Sequence, residues 1–297
     1  MKQFKIKTKQ TILKVKQPQY LIQFLQDKMG GMTRNSVHLI LSHRQVSVNG
    51  IIQTKYNYLL NEGDEVLITT GEISKELNHP KIKIVYEDNY LIVVEKKEGL
   101  LTVATYEGSR EVTCFSLLKK YVRQRNPRAG IYVVHRLDRE TSGLLVFAKS
   151  EDIQHYMRDY WHQLVTKRTY IALAEGKFSK LSDTIITWFT EDKKTTMVYS
   201  SPIDDGGKKA VTHYKVIKQN EEYSLVELHL ETGRTNQIRV HLASIGHPIV
   251  GDRKYGSNKP SKIDRLALHA IVLEFIHPIT EQIVHFETSI PKIFTIK

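Results

Sequence analysis

The sequence predicts an α+β protein with two domains: a small basic α/β module at residues 1–75 and a larger, mostly antiparallel mixed-sheet domain at residues 76–297. The first observation is length, because 297 residues reach the size of about 250–300 residues at which single cores stop growing. The second is that two helical patterns and a hairpin signal cluster near the N-terminus. The third is that strand patterns recur after a charged, proline-containing stretch at residues 72–81, which is predicted to be a linker.

The first 75 residues predict two short helices followed by a hairpin. Residues 20–29 carry apolar side chains at helical spacing and are followed by two glycines that can end a helix. Thr33 is suited to cap the second helix. Alternating valines then lead into Asn49 and Gly50, a strong hairpin signal, and a further strand is expected around Val66.

The second of these helices is expected to present a basic edge. Arg34 and His38 lie four residues apart and therefore share a helix face, and Arg44 follows them. The module resembles the S4 RNA-binding domain over residues 18–72, and the resemblance implies that these three side chains bind structured RNA. The alternative is a solvated basic face without a ligand.

The larger domain is predicted to be built mainly from a sheet. Helical patterns are fewer and fall at residues 113–125, 151–163 and 236–245. The candidate strands, each rich in apolar or β-branched residues, are residues 82–86, 91–94, 144–148, 170–174, 211–217, 225–230 and 283–286.

A charged block interrupts apolar sequence at residues 135–143, which read His-Arg-Leu-Asp-Arg-Glu-Thr-Ser-Gly. Apolar runs flank it, so two buried strands are expected to meet at a charged rim. Asp138 stands between Arg136 and Arg139 in this block. Such a carboxylate is either part of a functional site or a member of an ion-pair network that caps two strand ends.

Arg239 lies where a predicted strand runs into the predicted helix at residues 236–245. It follows the apolar Ile238, about 100° further round a helix, and can therefore face a cleft at the edge of the core. Burial raises the pKa of an aspartate, whereas a guanidinium within about 4–6 Å restores the ionised form. Arg239 is thus a candidate partner for a buried carboxylate, or else an arginine on a solvated helix face.

Composition narrows the function classes. The formal net charge of +12 and the pI of about 9.5 suit a polyanionic partner such as nucleic acid. The single cysteine, Cys114, excludes an intramolecular disulfide and is expected to be a buried apolar residue, not a nucleophile. Without His-Glu-x-x-His or paired cysteines no metal is expected. No apolar stretch approaches the ~20 residues that span a bilayer, so a soluble cytoplasmic protein is expected. The sequence does not reveal the oligomeric state, and a monomer is taken as the default.

The larger domain resembles the RluA/RluD-type pseudouridine synthases. Six segments follow the motifs of that family in order, namely residues 135–142 (H-R-L-D-x-x-T-S), 143–149, 167–176, 232–241, 246–252 and 265–270. The chain departs from the family at Asn236, where histidine is usual, at Lys97, where proline is common, and at Glu281, where glycine is common. These departures affect the expected subfamily and substrate, not the expected reaction.

The resemblance implies that uridine is converted to pseudouridine: the bond from N1 to C1′ breaks, the uracil rotates, and C5 is joined to the sugar. No metal or redox cofactor is implied. Asp138 is implied as the catalytic carboxylate, acting at the sugar or at the base, and Arg239 as its partner. Tyr170 is implied to stack against the target base and to assist removal of the C5 proton.

The target nucleotide must leave its helix, because a stacked uracil cannot be reached. By resemblance, Arg136 fills the vacated space and Leu268 packs beneath the flipped base. Alternatively, Arg136 bridges a phosphate and Leu268 packs only in the core.

The expected substrate is ribosomal RNA, with the large subunit favoured and transfer RNA as the alternative. Two other classes of protein remain open. A glycoside-type hydrolase would use Asp138 with Glu140, since alternate residues of a strand share a face at roughly 6–7 Å. A non-catalytic RNA-binding or ribosome-assembly protein would keep the fold without the isomerase activity.

Overall fold

A computed structural model describes residues 9–42, 45–70, 77–106, 108–256 and 263–296. The chain divides into two compact units, Met1–Glu76 and Leu77–Lys297, and the predicted boundary lies one residue earlier. Among the described residues, no helix combines the length and the apolar character needed to cross a membrane.

The first unit combines short strands with two helices. Its described elements are β1 (Lys9–Lys14), β2 (Gln19–Tyr20), α1 (Leu21–Lys28), α2 (Arg34–Ser42), β3 (Val46–Val48), β4 (Ile51–Ile52), β5 (Leu59–Leu60) and β6 (Glu65–Thr70). A four-stranded sheet has the order β1-β6-β3-β4, and β2 pairs with β5. The two predicted helices and the predicted hairpin are confirmed, while the likeness of this unit to an S4 domain stays a prediction.

Local chemistry explains these elements. The backbone N–H of Ser36 donates to the Thr33 hydroxyl oxygen over 3.3 Å, which begins α2 as predicted. Asn49 and Gly50 both have positive φ, at 50° and 80°, as the tight β3–β4 turn requires. The apolar faces of α1 and α2 pack with the strands into one core, which includes Phe24 and Val37.

The second unit is built around one large sheet. Its described strands are β7 (Ile82–Glu87), β8 (Leu91–Lys96), β9 (Tyr132–Val133), β10 (Ser142–Ala148), β11 (Val165–Glu175), β12 (Ser182–Glu191), β13 (Val198–Ser201), β14 (Lys208–Gln219), β15 (Tyr223–Leu230), β16 (Leu268–Ile276) and β17 (Ile283–Glu287). Its described α-helices are α3 (Cys114–Arg125), α4 (Glu151–Asp159), α5 (Trp161–Leu164) and α6 (Gln237–Ser244). The strand order is β13-β12-β14-β15-β11-β16-β10-β8-β7, with β17 beside β16 and β9 beside β10.

The junction of β10 and β16 is parallel, whereas the other described strand pairs of this sheet are antiparallel. Gly143 pairs with Ala270 there and has a φ of 121°. A Cβ on Gly143 would lie 2.2 Å from the carbonyl oxygen of Ala270, so only glycine permits this approach. The mostly antiparallel mixed sheet predicted from the sequence is confirmed.

This junction determines which loops meet. Because parallel strands begin at the same edge of a sheet, the loop before β10 lies beside the start of β16. That loop carries Asp138, and β16 begins at Leu268. The antiparallel neighbour β11 places Tyr170 opposite Ala270 at the same edge. Residues far apart in sequence are thus brought together.

Several strands were not predicted, and one helix prediction needs correction. The unpredicted strands are β12, β13 and β16 in the second unit and β1, β2 and β5 in the first unit. In β12 the buried alternate positions are Ile185, Thr187 and Phe189. Because one of these three is a polar threonine, the alternation of apolar and polar residues that marks a strand is not evident in the sequence. The helix predicted at residues 151–163 is interrupted at Tyr160, which ends α4 and precedes α5.

The linker predicted at residues 72–81 is only partly described, because residues 72–76 lie outside the described ranges. In the described part, Leu77 packs against a core cluster of the second unit, and His79 forms an isolated bridge with Ile82. Residues 77–81 therefore belong to the second unit and were wrongly read as linker.

Candidate active site

A cleft of about 710 Å³ opens at the sheet edge where β10 and β16 begin. The lining includes the five residues that the sequence predicted for a site in the larger domain: Arg136, Asp138, Tyr170, Arg239 and Leu268. The structure therefore brings all five together in one concavity.

Asp138 lies in the loop between β9 and β10, and that loop is held on both sides of it. The Thr102 hydroxyl donates to the carbonyl oxygen of Leu137 over 2.8 Å, and the Leu137 N–H donates back to that hydroxyl over 3.2 Å. The N–H of Thr141 donates to the carbonyl oxygen of Asp138 over 3.2 Å. The side chain of Asp138 remains 30% exposed, so it is fixed in position yet open to the cleft.

Arg239 projects from α6 between two carboxylates. Its Nη1 lies 3.8 Å from Oδ2 of Asp138. Its Nε and Nη2 donate to the two carboxylate oxygens of Asp252 over 2.8 and 2.7 Å. The predicted proximity of Arg239 to Asp138 is thus found, but its stronger, bidentate partner is Asp252.

Electrostatics favour the charged forms of that bidentate pair. Burial lowers the pKa of Arg239, but the hydrogen bonds and charge of Asp252, with a further contribution from Asp138, raise it above its ordinary value. Burial likewise raises the pKa of Asp252, whereas Arg239 and two backbone N–H groups bring it below its ordinary value. Asp252 was missed by the sequence analysis, although it closes the motif at residues 246–252.

Tyr170 lies on β11 and is partly buried at the cleft wall. Burial raises the pKa of its phenol, the positive charge of Arg168 lowers it, and the negative charge of Asp138 raises it again. Because the net shift is upward, the hydroxyl is protonated at neutral pH. Its ring offers a flat apolar surface to the cleft.

Two other residues of the cleft lining differ in exposure: Leu268 is buried, whereas Arg136 is exposed. Leu268 is almost completely buried at the start of β16 and belongs to a core cluster as well as to the cleft lining. Arg136 is exposed in the loop that also carries Asp138. One side chain can therefore support an apolar group, while the other is free to move into bound nucleic acid.

Two further side chains support the loop before β10. The N–H of Val146 donates to Nε2 of His135 over 3.1 Å, and burial together with the charge of Arg168 lowers the pKa of His135 to about 3. Nζ of the buried Lys96 donates to the carbonyl oxygens of Lys97 and Arg139 over 3.1 and 3.0 Å. Burial lowers the pKa of Lys96 to about 8. Neither role was predicted.

The carboxylate pair considered for a hydrolase is not found in the geometry that was assumed. Asp138 lies in an irregular segment, and Glu140 follows in a turn closed by the N–H of Thr141. Alternate residues share a face only in a strand. The argument for a paired-carboxylate hydrolase therefore loses its structural basis.

The cleft lining is rich in positive charge. It carries the negatively charged Asp138 and Glu191 and five cationic side chains, which are Arg136, Arg139, Arg234, Arg239 and Lys254. A polyanion is the ligand class that such a surface attracts. The buried Cys114, as expected, is not part of this lining, and burial raises the pKa of its thiol to about 12.

Two of the three residues that were predicted to bind RNA in the first unit lie on α2. Arg34 and His38 are exposed on α2, and the His38 ring contacts the Tyr56 ring edge-on at 4.8 Å between centroids. Arg44 lies outside the described residues. Their role in binding RNA stays a prediction.

Comparison with known proteins shows the family of this chain. The sequence profile of the RNA pseudouridylate synthase family matches residues 90–244, which include Asp138, Tyr170 and Arg239. The Bacillus subtilis protein named "Uncharacterized RNA pseudouridine synthase YhcT" is 37% identical over 257 residues, 84% of this chain and 83% of that protein. The "Ribosomal large subunit pseudouridine synthase D" of Nitrosomonas europaea is 37% identical over 245 residues, 77% of this chain and 69% of that protein.

A solved structure shows the same fold. The human protein "RNA Pseudouridylate Synthase Domain Containing 1" matches with a TM-score of 0.56 and 26% identity, over 70% of this chain and 83% of that chain.

Proposed function

Because this chain belongs to the RNA pseudouridylate synthase family and is a pseudouridine synthase, we propose that it isomerises specific uridines of ribosomal RNA, with the large subunit favoured. The relatives named as large-subunit pseudouridine synthases support this substrate. The cationic cleft lining supports binding of a polyanionic backbone.

The observation that carries the catalytic assignment is the difference between the two carboxylates beside Arg239. Asp252 is fully buried, and besides Arg239 it accepts the backbone N–H groups of Lys254 and Tyr255 over 2.9 and 3.0 Å. Asp138 keeps part of its carboxylate exposed in the cleft. Asp138 is therefore the carboxylate that a substrate can reach.

Asp138 acts on the flipped nucleotide to break the bond from N1 to C1′, either by nucleophilic attack or by removal of a sugar proton. The positive charge of Arg239 lies beside this carboxylate and complements its negative charge. A gap of 3.8 Å between Arg239 and Asp138 is longer than a hydrogen bond. The carboxylate oxygens consequently stay available to the substrate.

Tyr170 stacks against the extruded uracil and assists removal of the C5 proton. Its ring lines the cleft wall above the edge of the sheet. The positive charge of Arg168 opposes the effect of burial on the pKa of this phenol and stabilises the phenolate, which is the form that can accept the C5 proton. Leu268 supports the base from below.

Arg136 fills the space left by the flipped nucleotide. Flipping costs a few kcal/mol, and an exposed arginine in the loop of Asp138 can offset part of this cost by stacking and by binding phosphate. The same loop then presents the carboxylate and stabilises the opened RNA.

The test uses purified full-length protein and a ribosomal RNA transcript whose pseudouridines are mapped before and after incubation. The target is first identified by mapping pseudouridines in a strain that lacks the gene. Asp138→Asn is expected to abolish isomerisation while RNA affinity is retained, because the amide has nearly the same shape but cannot act as nucleophile or base. The matched control is Glu140→Gln, two residues away in the turn, which is expected to remain active. Isomerisation by Asp138→Asn would remove Asp138 from the reaction.

A further inference from the structure

Asn236 bridges Arg239 and Tyr255. Its Oδ1 accepts a hydrogen bond from Nη1 of Arg239 over 3.1 Å, and its Nδ2 donates to the Tyr255 hydroxyl oxygen over 3.1 Å. The residue precedes α6 in the left-handed backbone region, with a φ of 56°. We propose that Asn236 is a positioning residue that orients Nη1 of Arg239 toward Asp138, an inference that rests on the proposed catalytic role of Asp138.

The chemistry of the partners sets the orientation of the amide. A guanidinium carries only donors, so the amide must turn its oxygen to Arg239 and its nitrogen to Tyr255. The Tyr255 hydroxyl also accepts the backbone N–H of Val198 over 3.1 Å. The bridge is thereby anchored to β13, which begins at Val198.

The three nitrogens of the Arg239 guanidinium donate hydrogen bonds to two different residues. Asp252 takes Nε and Nη2, while Asn236 takes Nη1, the nitrogen that lies 3.8 Å from Asp138. A bidentate pair fixes one edge of the guanidinium but leaves it able to tilt about that edge. Asn236 holds the opposite edge, and the Tyr255 ring lies against it at 5.2 Å from its central carbon. The position of the charge before Asp138 therefore depends on Asn236.

Asparagine suits both demands of this position. Its backbone tolerates positive φ better than most other residues do, and its amide remains an acceptor at every pH. Asn236 therefore meets both the backbone and the hydrogen-bonding requirements of this position.

The experiment measures kcat, KM and RNA affinity for isomerisation of the mapped ribosomal RNA target by the full-length protein. Asn236→Gly keeps the left-handed backbone but removes the amide. We expect kcat to fall about ten- to hundredfold, as for loss of a hydrogen bond to a charged group, while RNA affinity and thermal stability stay near those of the wild type. The matched control is Asn220→Ala, which removes an asparagine whose Oδ1 caps the turn before β15 and is expected to retain the wild-type kcat.

A double-mutant cycle separates positioning from a general structural effect. If Asn236 acts through Arg239, Asn236→Gly costs little further activity in an Arg239→Lys background. Full kcat in Asn236→Gly, or additive losses in the cycle, would overturn the inference.

Tyr255→Phe provides a second test should Asn236→Gly fold poorly. This variant keeps the ring beside Arg239 and removes the hydroxyl that anchors the amide. We expect a smaller fall in kcat with unchanged RNA affinity, and an unchanged kcat would contradict the bridge. If the wild type itself does not isomerise uridine in the same assay, the proposed function fails, independently of Asn236.

Discussion

The guanidinium of Arg239 donates two hydrogen bonds to the carboxylate of Asp252, which is completely buried beneath it. Asp252 therefore fixes one edge of the guanidinium before any substrate binds. The two carboxylates beside it differ in consequence: one holds the arginine, and the other faces the cleft.

This difference predicts unequal effects on stability. Asp252→Asn leaves the buried charge of Arg239 without its counter-ion, and breaking a buried pair in this way typically costs about 3–5 kcal/mol of unfolding free energy. Asp138→Asn is expected to cost much less, because its carboxylate is partly exposed and lies 3.8 Å from the guanidinium. Urea unfolding of both variants measures the difference, and equal losses would contradict the assignment of Asp252 as the structural partner.

The close approach of β10 and β16 predicts that Gly143→Ala is severely destabilising. The new Cβ would lie 2.2 Å from the carbonyl oxygen of Ala270, at a φ of 121°. Since both contacting groups are central in the sheet, relief requires the strands to separate, and we expect a loss of more than about 3 kcal/mol. The control is Gly246→Ala. The φ of Gly246 is also positive, but no atom would lie within 4 Å of the added Cβ, so the expected loss of unfolding free energy is only about 1–2 kcal/mol.

The sequence revealed the residues of the site better than it revealed their arrangement. Asp138 and Arg239 were identified because they stand in motifs, and the helix that carries Arg239 was predicted from its apolar period and its glycine stop. The pairing of Gly143 with Ala270 joins strands far apart in the chain, and local periodicity carries no information about such a contact. The partnership of Arg239 with Asp252 was missed for the same reason, since it depends on a turn that no pattern predicted.

Buried neutral histidines predict a fall in stability at acid pH. His241 lies between the hydroxyl oxygens of Thr187 and Thr212 at 2.9 and 2.8 Å, and burial lowers its pKa to about 4. The pKa of His269 is also lowered, to about 4, by burial and by the positive charge of Arg265.

The direction of this pH dependence follows from the difference in proton binding between the folded and unfolded states. Between an unfolded pKa near 6.5 and a folded pKa of about 4, the unfolded state binds the proton and the folded state does not. The unfolding free energy is therefore full above pH 6.5 and falls by up to about 1.4 kcal/mol per pH unit for each such histidine as the pH decreases. His241→Gln is expected to flatten this slope between pH 6 and 4.5, as measured by urea unfolding. His155→Gln on the exposed surface of α4 serves as the control, and equal slopes in both variants would contradict the prediction.

The exposed arginine of α2 tests whether the first unit binds RNA. Each protein cation that neutralises a phosphate releases a counter-ion, so the logarithm of affinity falls with the logarithm of salt concentration by nearly one unit per contact. Arg34→Ala is therefore expected to weaken RNA binding at low salt and to reduce the magnitude of this slope by about one. Binding of the mapped RNA target is measured by titration at several KCl concentrations.

The matched control is Lys177→Ala, which removes an exposed cation that is paired with Glu221 in the second unit and does not line the active-site cleft. It is expected to leave both the affinity and the slope near those of the wild type. If Arg34→Ala also leaves the slope unchanged, the basic edge of α2 does not contact phosphate, and RNA affinity must come from other cationic surfaces such as the cleft. If instead the slope falls while kcat at saturating RNA is unchanged, the first unit contributes to RNA capture and not to isomerisation, as expected for a residue outside the cleft that contains Asp138.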